Sequence, residues 1–296
     1  MTQERAAETT RDPRPVRPNR HTGQWVAAAI VIGVALLVAG QMRSNDRFRW
    51  NVVGEYLFST PILQGVGKTL MLTVAAMAIG ILLGVVIAVM RLSPNRIVST
   101  AAWFYSWFFR GTPLLVQLLF WFFLSALYPR ITLGLPFDLT LLDLDTNSII
   151  SPLSAALLGL GLNEAAYMSE IVRSGILSVP PGQTEAAHAI GMNRLQVMRR
   201  VVLPQAMRVI VPPTGNETIG MLKYTSLVLV IGYTELMTSA SLIYSRTFQT
   251  IPLLIVAALW YLAITAALSV GQFYVERHYG RGFSNNRVRR TRKERR

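Results

Sequence analysis

The chain has 296 residues, 52% of them hydrophobic and 15% charged, with a mean hydropathy of +0.39. That balance is too apolar for a soluble domain of this size and suits a multi-span membrane protein. The net charge of +14 does not mark a nucleic-acid binder, because the basic residues collect in tails and in loops between apolar runs. The absence of cysteine excludes disulfides, thiol catalysis and cysteine-ligated metals.

Residues 1–23 are polar and rich in Pro and Arg, and read as a disordered tail. Six apolar runs then approach the ~20 residues needed to cross a bilayer. They lie at about 24–42, 67–90, 111–128, 152–173, 208–232 and 251–273. The first reads as a retained anchor, because no small-residue cleavage site follows it. Gly65-Val66-Gly67-Lys68-Thr69 imitates part of a phosphate loop, but Ile62 stands where the pattern requires glycine and an apolar run follows at once. Gly80 and Gly84 form a small-xxx-small pair suited to close helix packing.

An aromatic cluster from Trp103 to Phe109 precedes Arg110-Gly111-Thr112-Pro113, which reads as the start of the third span. Proline fits a first helical turn and threonine is able to cap it. In the fourth run, Asn163, Tyr167 and Glu170 share one helix face, and Glu170 pairs with Arg173 at i, i+3. Glu164 lies deeper with no local cation, which makes it a functional candidate by default. The fifth run holds Pro212, Pro213, Asn216, Glu217 and Lys223, and its prolines predict a kink or a broken helix. Asn216, Gly220, Lys223 and Leu227 form one stripe that faces protein or water, a pathway lining or a bundle interior.

Between the fourth and fifth runs, Pro180-Pro181-Gly182 ends one helix and Thr184–Ile190 forms another, which Gly191 closes in left-handed geometry. Asn193 and Gln196 have the spacing of a capping box for a second short helix, which Pro204 interrupts. Ala186, Ala187 and Ala189 keep the first helix slim enough to enter a groove on a partner. From spacing alone, an interfacial amphipathic hairpin without a partner is an equal reading. A basic run, 279–296, ends the chain. Lys and Arg flank the spans mainly on one side, which places both termini and the 174–207 loop in the cytoplasm, with Asp138, Asp143, Asp145 and Glu235 outside. The three histidines, His21, His188 and His278, have no metal-ligand spacing, so no metal is expected.

The segment Gly182-Gln183-Thr184-Glu185-Ala186-Ala187 with Gly191 and Leu203-Pro204 resembles the cytoplasmic EAA loop of ABC-importer permeases. Arg110-Gly111-Thr112-Pro113 through Gln117 resembles the polar-amino-acid-uptake, or histidine/glutamine-type, branch of that family. Pro212, Asn216, Lys223, Thr225-Ser226-Leu227 and Glu235 extend the likeness, although Tyr224 stands where relatives often carry an acid. The resemblance covers about residues 55–278 and leaves the first span as an addition.

The resemblance implies an all-α, polytopic membrane bundle of the type I importer kind in the inner membrane. It implies one permease half working with a second, identical or related permease subunit. An ATPase dimer would carry ATP and Mg, and an extracytoplasmic solute-binding protein would deliver the solute; this chain itself holds no cofactor. Gly182, Gln183, Glu185, Ala186, Ala187, Gly191, Leu203 and Pro204 are the expected ATPase contacts. Asn163, Glu164, Tyr167, Glu170, Asn216, Lys223, Thr225 and Ser226 are pathway candidates, and Arg110, Gly111, Thr112, Pro113, Gln117 and Glu235 are motif positions. The competing class is a secondary transporter or channel that relays ions through Glu164, Glu170, Glu217 and Lys223. A scaffold without solute flux is the third class.

Overall fold

The computed structural model describes residues 22–135 and 139–280, which fall into two compact units, 1–49 and 50–296. The expected tails therefore lie outside the described residues, except at their inner ends. The first unit is helix α1, Thr22–Ser44, followed by a 3-10 turn, Asp46–Phe48, which Asn45 caps by accepting from the Arg47 amide at 3.0 Å. Its apolar side chains, from Trp25 to Val38, are exposed.

The second unit opens with α2 (Trp50–Leu57) and α3 (Thr60–Arg91), with Pro61 in the first turn of α3. The phosphate-loop lookalike lies inside α3 as regular helix. Helix α4 (Arg96–Gly111) follows a tight turn, where Asn95 accepts from the amides of Ile97 and Val98 at 2.9 and 3.4 Å. The aromatic cluster is thus the body of a helix, with Trp103, Phe104, Trp107 and Phe108 exposed along it. The expected third span is not one helix. Arg110 and Gly111 end α4, and α5 (Leu114–Phe122) and α6 (Leu124–Leu127) are short pieces beyond it.

The all-α expectation fails locally. Residues Arg130–Leu135 (β1) and Leu139–Asp145 (β2) pair as an antiparallel hairpin, with an irregularity after Leu133. The sequence alternates there, with Leu142 and Leu144 against Asp143 and Asp145, a strand period inside what composition marks as a loop. Arg130 and Asp143 pair across it at 2.9 Å. Helix α7 (Thr146–Ile149) then leads to α8 (Pro152–Leu177), which Ser151 and Ser154 start with a reciprocal capping box.

After α8 come α9 (Pro181–Ala189), α10 (Arg194–Val197) and a π-helical turn, Met198–Val202, which runs directly into α11 (Leu203–Tyr224). Pro204 therefore does not interrupt the second loop helix; it lies in the first turn of α11, directly after the π-helical turn. Nor does the segment break at Pro212 and Pro213, which α11 carries internally. A 3-10 stretch, Thr225–Ile231, continues α11 to Gly232, where φ is +72°. The break lies there: the run Arg194–Ile231 meets α12 (Leu236–Thr247) at 45°. The last helix is α13, Thr250–Tyr279.

Among the described residues, three helices are by length and composition able to cross a membrane, 23–44, 60–91 and 250–279, and the bent pair at Gly232 adds a fourth only if its two parts count as one span. Helix α8 is long enough at 26 residues but carries Asn163, Glu164, Glu170 and Arg173. Helices α3 and α8 pack closely because Gly80 and Gly84 remove side chains from the contact. A Cβ on Gly80 would stand 2.4 Å from Glu164 Cγ, and one on Gly84 would stand 2.5 Å from Met168 Cβ. Around that seam lies a core of Leu72, Met77, Leu118, Leu160, Met221 and Val228. A second core of Ile62, Leu236, Leu253 and Val256 joins α2, α3, α12 and α13.

Candidate functional site

The chain breaks between α4 and α5 because Pro113 has no amide hydrogen and Thr112 is extended, at φ −110° and ψ 143°. Such a break leaves carbonyls unpaired inside an apolar bundle, where each is costly. Gln117 repairs it: its Nε2 donates to Phe109 O at 2.9 Å, Thr112 O at 3.1 Å and Thr112 Oγ1 at 2.7 Å. Asn163 reaches across from α8, donating to the same Phe109 carbonyl at 2.9 Å and to Gln117 Oε1 at 3.3 Å. Thr112 does not cap α5 as expected; its hydroxyl donates back to Phe108 O at 3.0 Å and leaves its oxygen for Gln117. The Arg110–Gln117 motif and Asn163 are thus one network that stabilises a broken helix.

Beside this break lies a cavity of about 470 Å³. Arg110, Gly111, Thr112, Pro113 and Leu114 form one wall, Asn163, Glu164 and Tyr167 from α8 a second, and Glu217 and Tyr224 from α11 a third. The Arg110 guanidinium stands 5.4 Å from the centroid of the Tyr167 ring, a cation–π arrangement that orients it. Glu164 is 2% exposed, and its Oε1 has no hydrogen-bond partner among the described residues. A carboxylate so placed calls for a donor or a cation, since an uncompensated buried charge costs several kcal/mol. Two carboxylates and one guanidinium at one cavity sum to one net negative charge when all are ionised.

Not every pathway candidate joins this site. Glu170 faces away into an ion network, with Arg91 Nη1 at 3.5 Å and the Arg173 guanidinium hydrogen-bonded to both of its oxygens. Asn216 and Lys223 are exposed and do not line the cavity. Thr225 is buried and donates to Leu222 O at 2.7 Å, while Ser226 donates to Lys223 O at 2.7 Å, so both hydroxyls satisfy local backbone. Glu217 and Tyr224 stand in their place; the two are spaced i, i+7, which is a face the sequence displayed but which the Asn216 stripe obscured.

Glu235, in the connection before α12, is a fully buried anchor. It caps α12 by accepting from the Thr238 amide at 2.8 Å, and it accepts from Thr69 Oγ1 at 3.1 Å and Tyr261 Oη at 2.7 Å. One carboxylate therefore ties α3, α12 and α13 together.

The loop after α8 folds back on the bundle. Gly191 has φ +84° and the Asn193–Gln196 capping box is present, with both bonds at 3.0 Å. Ala187 is buried with Val179, Val197, Val202 and Ala206, so it anchors α9 within the chain and is not offered to a partner. Gly182, Gln183, Glu185, Ala186, Gly191, Leu203 and Pro204 are exposed. So are two apolar side chains, Ile190, at 76%, and Leu195, at 65%. His188 is exposed too, its Nδ1 3.1 Å from Met192 O.

Residues 80–281, more than half of the chain, match the family of binding-protein-dependent transport system inner membrane components. The chain belongs to this family. It is 48% identical over 278 residues, 93% of its length and 86% of the relative's, to the arginine transport system permease protein of Corynebacterium glutamicum. It is 38% identical over 205 residues, 69% of its length and 83% of the relative's, to the histidine/lysine/arginine/ornithine transport system permease protein of Salmonella typhimurium. Among solved structures, an amino acid ABC transporter with histidines shares 35% identity at a TM-score of 0.63, covering 74% of this chain and 94% of that one. The protein is accordingly an amino-acid ABC transporter permease subunit of the inner membrane, with a type I ABC permease fold.

Proposed function

We propose that this permease subunit forms one half of the translocation pathway of an ATP-driven importer for a basic amino acid. The observation that carries the reading is the cavity at the α4–α5 break, where Glu164 and Glu217 face Arg110. A basic amino acid has the complementary charges: two cationic groups for the carboxylates and one α-carboxylate for the guanidinium. Tyr167 and Tyr224 offer aromatic faces for an aliphatic stem or a guanidinium plane. The relatives named for arginine and for histidine, lysine, arginine and ornithine transport agree with that chemistry.

Coupling is assigned to the exposed surface of α9 and the Gly191 turn, on the strength of the resemblance of Gly182–Gly191 to the family's EAA loop. Basic residues beside the loop and at both chain ends favour a cytoplasmic position for all three. ATP and Mg belong to that partner, and a solute-binding protein and a second permease subunit complete the assembly. An ion relay through Glu164, Glu170, Glu217 and Lys223 is disfavoured, because Glu170 is held by two arginines and Lys223 does not line the cavity.

The test is isolation of the tagged chain from its native membrane, followed by ATPase assays with L-arginine and the co-isolated binding protein. An ATPase subunit in the preparation and arginine-dependent stimulation are expected. Glu164→Gln is expected to preserve assembly and to raise the half-saturating arginine concentration in transport roughly tenfold to hundredfold, the loss of one charged hydrogen bond. Uptake without any ATPase, or an arginine response unaltered in Glu164→Gln, would overturn the reading.

A further inference from the structure

A second cavity, of about 370 Å³, lies between α2, α3 and α12, with Tyr56, Gln64, Gly65, Lys68, Ser239 and Arg246 among its walls. Its position in the membrane follows from helix length. Lys68 and Arg91 are 23 residues apart on one unbroken helix, which is about 34 Å at ~1.5 Å per residue, enough to cross the ~30 Å hydrocarbon core. Residues 69–90 between them hold no charge. Arg91 pairs with Glu170 near the end of α8, the end that leads into α9. The cavity around Lys68 therefore opens at the membrane face opposite the α9 loop.

Its charge is one-sided. No Asp or Glu lines it, and neither Lys68 nor Arg246 forms an ion pair among the described residues. The adjacent acid in sequence, Glu235, is engaged by Thr69, Thr238 and Tyr261 and is fully buried. Two cations sharing a concave site repel one another and repel a basic solute, so the site does not suit the cargo itself. It suits a carboxylate. Helices α2 and α12, of 8 and 12 residues, are too short to cross the bilayer, so they cap this face. They meet α3 around a cleft in which Gln64 and Ser239 add neutral polar groups beside the two cations, while Pro61, Leu242 and Ile243 supply apolar wall.

We infer that this cleft receives an acidic side chain from the surface of the solute-binding protein, with Lys68 and Arg246 as its paired cations. The inference rests on the functional reading above, because it requires a binding protein at the face opposite the ATPase. Opposite charge at a docking rim accelerates encounter and fixes register. It also separates two tasks by chemistry: a cleft of two cations for the protein, and a cavity of two carboxyl groups and one guanidinium for the solute.

The test titrates the intact transporter, in nanodiscs of phosphatidylcholine, with the co-isolated binding protein loaded with L-arginine, and reads stimulated ATPase. In Lys68→Glu/Arg246→Glu the half-maximal binding-protein concentration is expected to rise about tenfold or more and to depend less on salt. Basal ATPase and the maximal stimulated rate are expected to stay as in the wild type, and Lys68→Arg should keep the wild-type curve. If the double reversal disturbs assembly, Lys68→Gln and Arg246→Gln singly should each raise the half-maximal concentration about threefold. A curve that coincides with wild type in these variants overturns the inference. So does a defect that appears only when phosphatidylglycerol is added, which would assign the cleft to lipid headgroups. A wild-type transporter with no binding-protein response would instead sink the functional reading, a result distinguishable from indifferent variants of a responsive one.

Discussion

Position 80 has no side chain because Glu164 of the facing helix occupies the space one would take. Glycine in a helix costs about 1 kcal/mol relative to alanine, so the exchange must be repaid by contact elsewhere. Here the contact seats a buried carboxylate at the cavity wall. Gly80→Ala places a methyl 2.4 Å from Glu164 Cγ and is expected to destabilise by about 1–3 kcal/mol, the cost of overpacking, in spite of the better helix propensity. Gly67→Ala on the same helix meets nothing within 4 Å and should be neutral or slightly stabilising. Thermal inactivation midpoints of the purified transporter compare the two; equal midpoints would mean that α3 and α8 separate readily at this seam. The sequence displayed Gly80 and Gly84 as a packing pair but gave no sign that Glu164 was the group being accommodated.

At the scale of elements, the informative features are places where regular structure stops. The α4–α5 break is held by Gln117 and Asn163, residues 46 apart in sequence that converge on the Phe109 carbonyl. Gln117→Leu keeps the volume and removes the donors, so Phe109 and Thr112 lose bonds inside the bundle. A loss of about 1–3 kcal/mol is expected. Thr112→Val removes one donor to Phe108 and one acceptor for Gln117 and should cost less. A Gln117→Leu protein with an unchanged inactivation midpoint would show that water or lipid, not the side chain, satisfies the break. The motif from Arg110 to Gln117 was legible in the sequence, but as the start of a span. Its role as the repair of a broken one depends on Asn163, which only folding brings near.

Across the whole molecule, the loop after α8 is continuous with the bundle through Ala187, Val197, Val202, Ala206 and Ile210. The π turn at Met198–Val202 passes directly into α11, which carries Glu217 and Tyr224 to the cavity. A displacement of α10 thus has an unbroken helical route to the site, and α9 joins that route across the Gly191 turn by the packing of Ala187. Gly191→Arg tests the assignment of that loop. The Cβ meets open space, so the change costs only the left-handed backbone strain, roughly 1–2 kcal/mol, and the chain is expected to fold. The bulky cation should block the ATPase subunit from co-purifying, whereas Gly191→Ala, with equal strain and little bulk, should retain it. Retention of the ATPase by both variants would remove the loop from the coupling interface.

The sequence by itself determined the class of the protein, the apolar helices at 24–42, 67–90 and 251–273, the capping box at Asn193 and the left-handed turn at Gly191. Each of these rests on local composition, spacing or backbone geometry, which a single stretch of chain expresses on its own. Tertiary structure decided the rest. It broke the third span at Pro113, where the freed carbonyls find amides from another helix. It moved the break near the fifth span from Pro212 to Gly232, because α11 runs on through Pro212 and Pro213 while Glu235 anchors the next helix. It sorted the intramembrane polar residues, sending Glu164 and Glu217 to one cavity, Glu170 to two arginines and Glu235 to a buried anchor. Periodicity assigns a residue to a face, but which neighbour that face meets is a property of packing between distant segments.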